Sequence, residues 1–159
     1  EDLTGHLLPL LADGKLDAAI IATDPPGERL EEIALYDERF CLMAPAGHPL
    51  ARKKAVAVGE IDPRSLLLLA DGHCLRDQAL DVCGHPDLGH GSAADVTLAP
   101  QMAADGWRGK GGLVAVPLKG GSVARRVRLV WRREMPRGIA MQALAKVARA
   151  CLPPGLAKV

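Results

Sequence analysis

Residues 15–23, Lys-Leu-Asp-Ala-Ala-Ile-Ile-Ala-Thr, constrain this chain more than any other segment. Its apolar residues are consecutive, so a strand built from them is apolar on both faces. Such a strand needs cover above and below, which helices supply in α/β sheets. The segment before it provides one such helix. Leu3, Leu7, Leu8 and Leu11 form an apolar stripe, Thr4 is the expected N-cap, and Asp13-Gly14 is the stop. Pro9 sits awkwardly inside that helix. Pro25-Pro26-Gly27 ends the strand with turn residues.

Further along, residues 32–36 and 40–44 read as two short strands split by the charged Asp37-Glu38-Arg39. Residues 66–69, four leucines, read as a buried strand, and residues 74–82 as a helix after an Asp71-Gly72 turn. Residues 84–94 read as loop, and residues 96–99, 113–118 and 127–131 as strands. Leu144, Val147, Ala148 and Cys151 recur at helical spacing and define a C-terminal amphipathic helix, ended by Pro153-Pro154-Gly155. Short strands alternating with helices indicate an α/β fold with mixed or parallel sheets.

Composition narrows the function. A net charge of +1 with no basic block gives no nucleic-acid-binding surface within this chain. The longest apolar run is far too short to span a bilayer, and Glu1-Asp2-Leu3 is unlike the start of a signal peptide, which points to a cytoplasmic protein with no membrane partner. Four cysteines in 159 residues are too sparse for a disulfide scaffold. Metal binding, catalysis or redox sensing are the remaining uses.

Cys74 stands where a turn becomes a helix. A thiol there meets unpaired backbone N–H groups and the positive end of the helix dipole, which favour thiolate, with His73 and Arg76 adjacent in sequence. Cys83 lies nine positions further on. If the intervening chain is helical, the two Cα atoms are about 13 Å apart along the axis. A disulfide spans at most about 7 Å. Joining them therefore requires the helix to melt, so the bond would switch a conformation where an ordinary bridge would staple one. Peroxide would convert the Cys74 thiolate to sulfenic acid, and Cys83 would condense with it.

The run Asp71-Gly72-His73-Cys74-Leu75-Arg76-Asp77-Gln78-Ala79, followed by Cys83, resembles the peroxide-sensing region of LysR-type transcriptional regulators. Thr4 with Leu7-Leu8, Asp13-Gly14-Lys15-Leu16-Asp17, Gly47-His48-Pro49-Leu50 and Leu129-Val130-Trp131-Arg132 resemble the same family in the same order. The resemblance spans nearly the whole chain. It implies two Rossmann-like α/β subdomains resembling a periplasmic binding protein: regulatory subdomain I from residues 1–36 and 124–159, and subdomain II from residues 37–123 carrying the redox cysteines. It also implies a peroxidatic role for Cys74, a resolving role for Cys83, and peroxide-pocket positions for Thr4, His73, Asp77 and Arg125, with Gln78 a further donor. The implied protein is a hydrogen-peroxide-responsive transcriptional activator working as a homodimer or homotetramer. It would meet promoter DNA through a winged helix-turn-helix outside this chain and be reset by a thiol reductant such as glutaredoxin or thioredoxin. No cofactor and no metal is implied, and the oxidation is stoichiometric, so the domain is not expected to be an enzyme. The chain departs from the family by lacking the regulatory domain's first strand and helix, and by lacking about a helix's worth of residues between Asp95 and Val96.

Simpler readings cover other residues. Cys41 and Cys151 read as buried packing residues, Trp107 and Trp131 likewise, and Arg125, Arg126 and Arg128 as a solvated or ion-paired strand face. Cys83 with His85 and His90 matches no familiar zinc spacing, and Gly109 to Gly112 is a flexible turn without the ending of a phosphate loop. His6 and His48 read as surface or turn residues. Two rivals to the sensor are a thiol peroxidase using the same pair, for which no Cys-X-X-Cys is present, and a small-ligand-binding LysR-type or solute-binding domain with structural cysteines.

Overall fold

The computed structural model describes residues 2–70, 73–84, 95–107, 110–120, 123–153 and 156–158. The chain divides into two compact units, one from residues 1–38 and 125–159 and the other from residues 39–124.

Unit 1 contains helix α1 (Thr4–Ala12), strand β1 (Ala18–Ile21), the first part of strand β2 (Leu30–Pro45), nearly all of strand β5 (Ala124–Arg132), helix α4 (Gly138–Ala150) and the short strand β6 (Ala157–Lys158). β1 pairs antiparallel with β5 from Ala18↔Trp131 to Ile21↔Arg128, β5 neighbours β2, and β2 pairs with β6 at Tyr36 and Asp37. Alternation along β5 sorts its side chains to two faces. Val130 joins Leu11, Ala19 and Ile21 beneath α1, whereas Leu129 and Trp131 join Leu35, Met141 and Ala145 beneath α4. The α/β expectation holds, with one local difference. β1 is the edge strand, and its Ile20 is 57% exposed, so the apolar run is fully covered on one face only.

Unit 2 contains the rest of β2, helix α2 (Cys74–Cys83), strand β3 (Thr97–Pro100), helix α3 (Gln101–Trp107) and strand β4 (Leu113–Pro117). β2 lies between β3 and β4, antiparallel to both. Phe40, Leu42 and Ala44 face the core shared with α2, while Cys41 and Met43 face Ala99 and Ala104 on the α3 side. α3 starts at the residue after β3, so the chain turns directly from strand to helix at Pro100-Gln101.

Several sequence expectations are corrected. The charged Asp37-Glu38-Arg39 does not interrupt a strand, because β2 runs unbroken through it. Glu38 is fully buried, and its Oε2 accepts from Arg125 Nε and Nη2 at 2.9 and 2.8 Å. Asp37 is held by both Nε and Nη2 of Arg126. Arginines on the neighbouring strand thus neutralise the charges that suggested a break. Residues 66–69 are not a strand: Leu66 makes a single bridge to Val96, Leu66 and Leu68 are buried, and Leu67 and Leu69 are 57% and 45% exposed. Thr4 does not cap α1, since Leu3 occupies the N-cap and Thr4 opens the helix. On α4 the buried stripe is Met141 and Ala145, and Leu144 and Val147 are exposed. Cys151 and Trp107 are also exposed, against the packing expectation, whereas Cys41 and Trp131 are buried. The loop with His85 and His90 lies outside the described residues.

Candidate functional site

Helix α2 follows from its sequence. Leu75, Ala79, Val82 and Cys83 recur at helical spacing, and all of them pack on the core built by Leu42, Val56, Leu66, Leu98 and Val116. Gly84 ends the helix in the left-handed conformation, φ 69°, with its N–H donating to the carbonyls of Asp81 and Leu80. That conformation suits glycine because it has no Cβ to clash.

The chain leading into α2 is tied down at several points. Leu67 N donates to Val96 O at 2.7 Å, and Thr97 Oγ1 donates to Leu67 O at 2.8 Å. Next to the helix start, Arg76 Nη1 donates to Leu69 O at 3.4 Å, and Arg76 N donates to His73 O at 2.9 Å. Buried Leu66 and Leu68 pin the same segment to the core.

Cys74 is the first residue of α2 and Cys83 the last of its 10 residues. Both thiols are free and half-buried. At about 1.5 Å and about 100° per residue, nine steps separate the Cα atoms by about 13 Å and put the two side chains on opposite sides of the helix. Cys83 turns toward the apolar core, and that burial pushes its thiol pKa up. Cys74 shares its face with Gln78, one turn on and half-buried, and with the exposed Asp77. His73 occupies the N-cap position with extended backbone, exposed and without a side-chain capping bond.

Of the sequence-derived site residues, His73, Cys74, Asp77, Gln78 and Cys83 therefore share one short segment of unit 2, while Thr4 and Arg125 belong to unit 1. Arg125 is ion-paired to Glu38, a partner that sequence reasoning missed. The available signal was the matching order of charges, Asp37-Glu38 against Arg125-Arg126, on two strands that run antiparallel. Also unforeseen is the Cys41 thiol, which donates to Gln101 Oε1 at 3.0 Å in unit 2. Among the described residues no three His, Cys, Asp or Glu side chains group closely enough to hold a metal. No described helix is long and apolar enough to cross a membrane.

An α/β domain of two units, with a thiol at each end of one helix, is the class defined by this fold and site. The chain belongs to the LysR substrate-binding domain family, whose model matches residues 1–90. It is similar to the probable hydrogen peroxide-inducible genes activator of Mycobacterium leprae, at 39% identity over 92% of this chain and 53% of that protein. The reduced form of the OxyR regulatory domain from Pseudomonas aeruginosa superposes with a TM-score of 0.81 at 32% identity, covering 95% of this chain and 81% of that one. A cysteine-to-serine mutant of Corynebacterium glutamicum OxyR with hydrogen peroxide bound gives a TM-score of 0.84 at 29% identity, covering 94% of this chain and 53% of that one. The chain spans about half the length of the curated relatives it matches.

Proposed function

We propose that this chain is the peroxide-responsive regulatory domain of a transcriptional activator, with Cys74 as the reacting thiol and Cys83 as its resolving partner. The observation that carries the reading is the placement of the two thiols at opposite ends of one ten-residue helix. The name of the Mycobacterium leprae relative and the peroxide in the Corynebacterium glutamicum structure support the choice of oxidant.

The Cys74 thiolate attacks one oxygen of hydrogen peroxide, the O–O bond breaks, and hydroxide departs, leaving cysteine sulfenic acid. The hydroxide needs donors as charge develops on it, and His73 and Gln78 beside Cys74 are of the right type. The Cys83 thiol then attacks the sulfenic sulfur, forming the disulfide and releasing water. Because the Cα atoms start about 13 Å apart, the second step requires α2 to unwind, and several of its core contacts go with it. Reduction by a dithiol such as glutaredoxin or thioredoxin regenerates both thiols. In the longer protein a DNA-binding domain would read promoter DNA, and remodelled unit 2 surfaces would rearrange a homodimer or homotetramer.

Titrating the reduced protein with hydrogen peroxide and mapping thiols by mass spectrometry tests this. Near-stoichiometric conversion to a Cys74–Cys83 disulfide is expected, and Cys83→Ser should stop at sulfenic acid or its further oxidation. Cys74 left unmodified under a large excess of peroxide overturns the reading. An intramolecular disulfide in Cys83→Ser overturns the resolving role, and sustained peroxide consumption with a thiol reductant would make the domain an enzyme.

A further inference from the structure

Unit 1 contains a concavity that the redox chemistry does not use. It has a volume of about 660 Å³ and is bordered by α1, by the start of β2 and the segment entering it, and by the end of β5 with the two residues that follow. No residue lining it belongs to unit 2. The volume falls in the range typical of small-molecule sites, about 300–1,000 Å³.

Its floor is apolar. Leu8 and Leu30 are half-buried there on the core of Leu11, Ile21 and Val130, and Ala12 lies one turn after Leu8 on the same helix face. Its walls carry Arg29, Arg132 and Arg133 against Glu28 and Glu134. Arg132 is held in place, because its Nη1 donates to Leu11 O at 2.7 Å and more weakly to Leu16 O at 3.4 Å. Gly14, with φ 75°, makes room for it: a Cβ there would stand 3.0 Å from that Nη1. Arg29 is joined to the neighbouring wall through its backbone, Arg133 N donating to Arg29 O at 2.9 Å. Among the described residues no side-chain partner is found for the Arg29 guanidinium. Among the described residues the Arg133 guanidinium has one long contact, 4.0 Å, to Glu31.

We propose that this concavity binds an aliphatic monocarboxylate, its carboxylate on the Arg29 and Arg132 guanidinium groups and its chain over Leu8, Ala12 and Leu30. A guanidinium presents a planar pair of donors that matches a carboxylate, and one already anchored loses little freedom on binding. The lining carries three arginines and two glutamates, and a third glutamate, Glu31, lies 4.0 Å from Arg133, so the site has charge for a monoanion at most. A phosphate dianion would face Glu28 and Glu134 with its second charge uncompensated. The apolar floor requires a body as well as a charge, since a bare acetate leaves Leu8 and Leu30 in water.

Octanoate is the probe, titrated into the protein by calorimetry, with acetate and octylammonium as comparisons. Saturable one-to-one binding of octanoate is expected, with no saturation by acetate or octylammonium. Ala12→Trp, which fills the groove from an exposed position, and Arg29→Glu, which reverses an exposed charge, should each weaken octanoate by at least about tenfold, readable in the dissociation constant. Both substituted positions are exposed, so circular dichroism and Tm should match the parent, which separates lost binding from lost folding. Absence of saturable octanoate binding, equal binding of octylammonium, or unchanged affinity in both variants would overturn the proposal.

Discussion

The Glu38 carboxylate is fully buried, and a single oxygen of it receives two N–H groups of Arg125, Nε at 2.9 Å and Nη2 at 2.8 Å. The pair joins β2 to β5 at one end of unit 1, and the Asp37–Arg126 pair forms the next rung. Both rungs let two charged residues sit inside a continuous strand.

Removing one member of the buried pair should be more damaging than removing both. Arg125→Met leaves the Glu38 carboxylate buried without its cation and should lower unfolding free energy by about 3 kcal/mol, the low end for a buried pair because Arg125 retains some exposure. Adding Glu38→Leu should recover part of that loss, since the buried charge itself is gone. Urea unfolding of the two variants checks the order, and a double variant less stable than Arg125→Met would contradict it.

Stability should fall in acid through at least two carboxylates. The Arg126 guanidinium holds Asp37 below its ordinary value of 3.8. The Lys53 ammonium, then the Ala57 N–H, hold Glu60 at about 2 against an ordinary 4.5. Both folded values are depressed, so the unfolded chain binds more protons in this window and stability rises with pH. The contribution is complete above the ordinary values and is lost as pH falls from about 4.5 toward 2. Urea midpoints measured across that range should show the decline, and Glu60→Gln should flatten it.

The left-handed Gly84 sets how firmly α2 ends. Gly84→Ala puts a Cβ at φ 69°, which costs about 1 kcal/mol and loosens the turn that carries Cys83. Unwinding is part of the proposed disulfide step, so the variant should form the Cys74–Cys83 bond about fivefold faster once Cys74 is oxidised. Quenched-flow thiol mapping reads the rate. An unchanged rate with lowered stability would mean that unwinding at this end does not limit the step.

Cys83 should resist alkylation while the domain is folded. It packs on the α2 core, and burial raises its pKa, so both access and thiolate fraction are reduced. Iodoacetamide at pH 8 should modify it far more slowly in the folded protein than in urea, with peptide mapping as the readout. Equal rates in both conditions would place Cys83 outside the core in solution.

Local order was legible in the sequence wherever the cause is local. Leu75, Ala79, Val82 and Cys83 recur at helical spacing, and Gly84 stops the helix, so α2 and the position of Cys74 at its start were readable from neighbours alone. The same spacing already placed the two thiols too far apart to bond. The run through Ile20 and Ile21 marked a strand of an α/β sheet. Partners distant in the chain decided the rest. Asp37 and Glu38 read as a break until Arg125 and Arg126, nearly ninety residues away, are set beside them on β5. Four consecutive leucines read as a strand, but among the described residues the segment has a single bridge, Leu66 to Val96, and Leu67 and Leu69 are exposed. Leu144 and Val147 carry the helical period as well as Met141 does, and only the position of the sheet selects which stripe is buried. Periodicity reports which faces a segment has, whereas burial and charge compensation depend on what the fold brings against them.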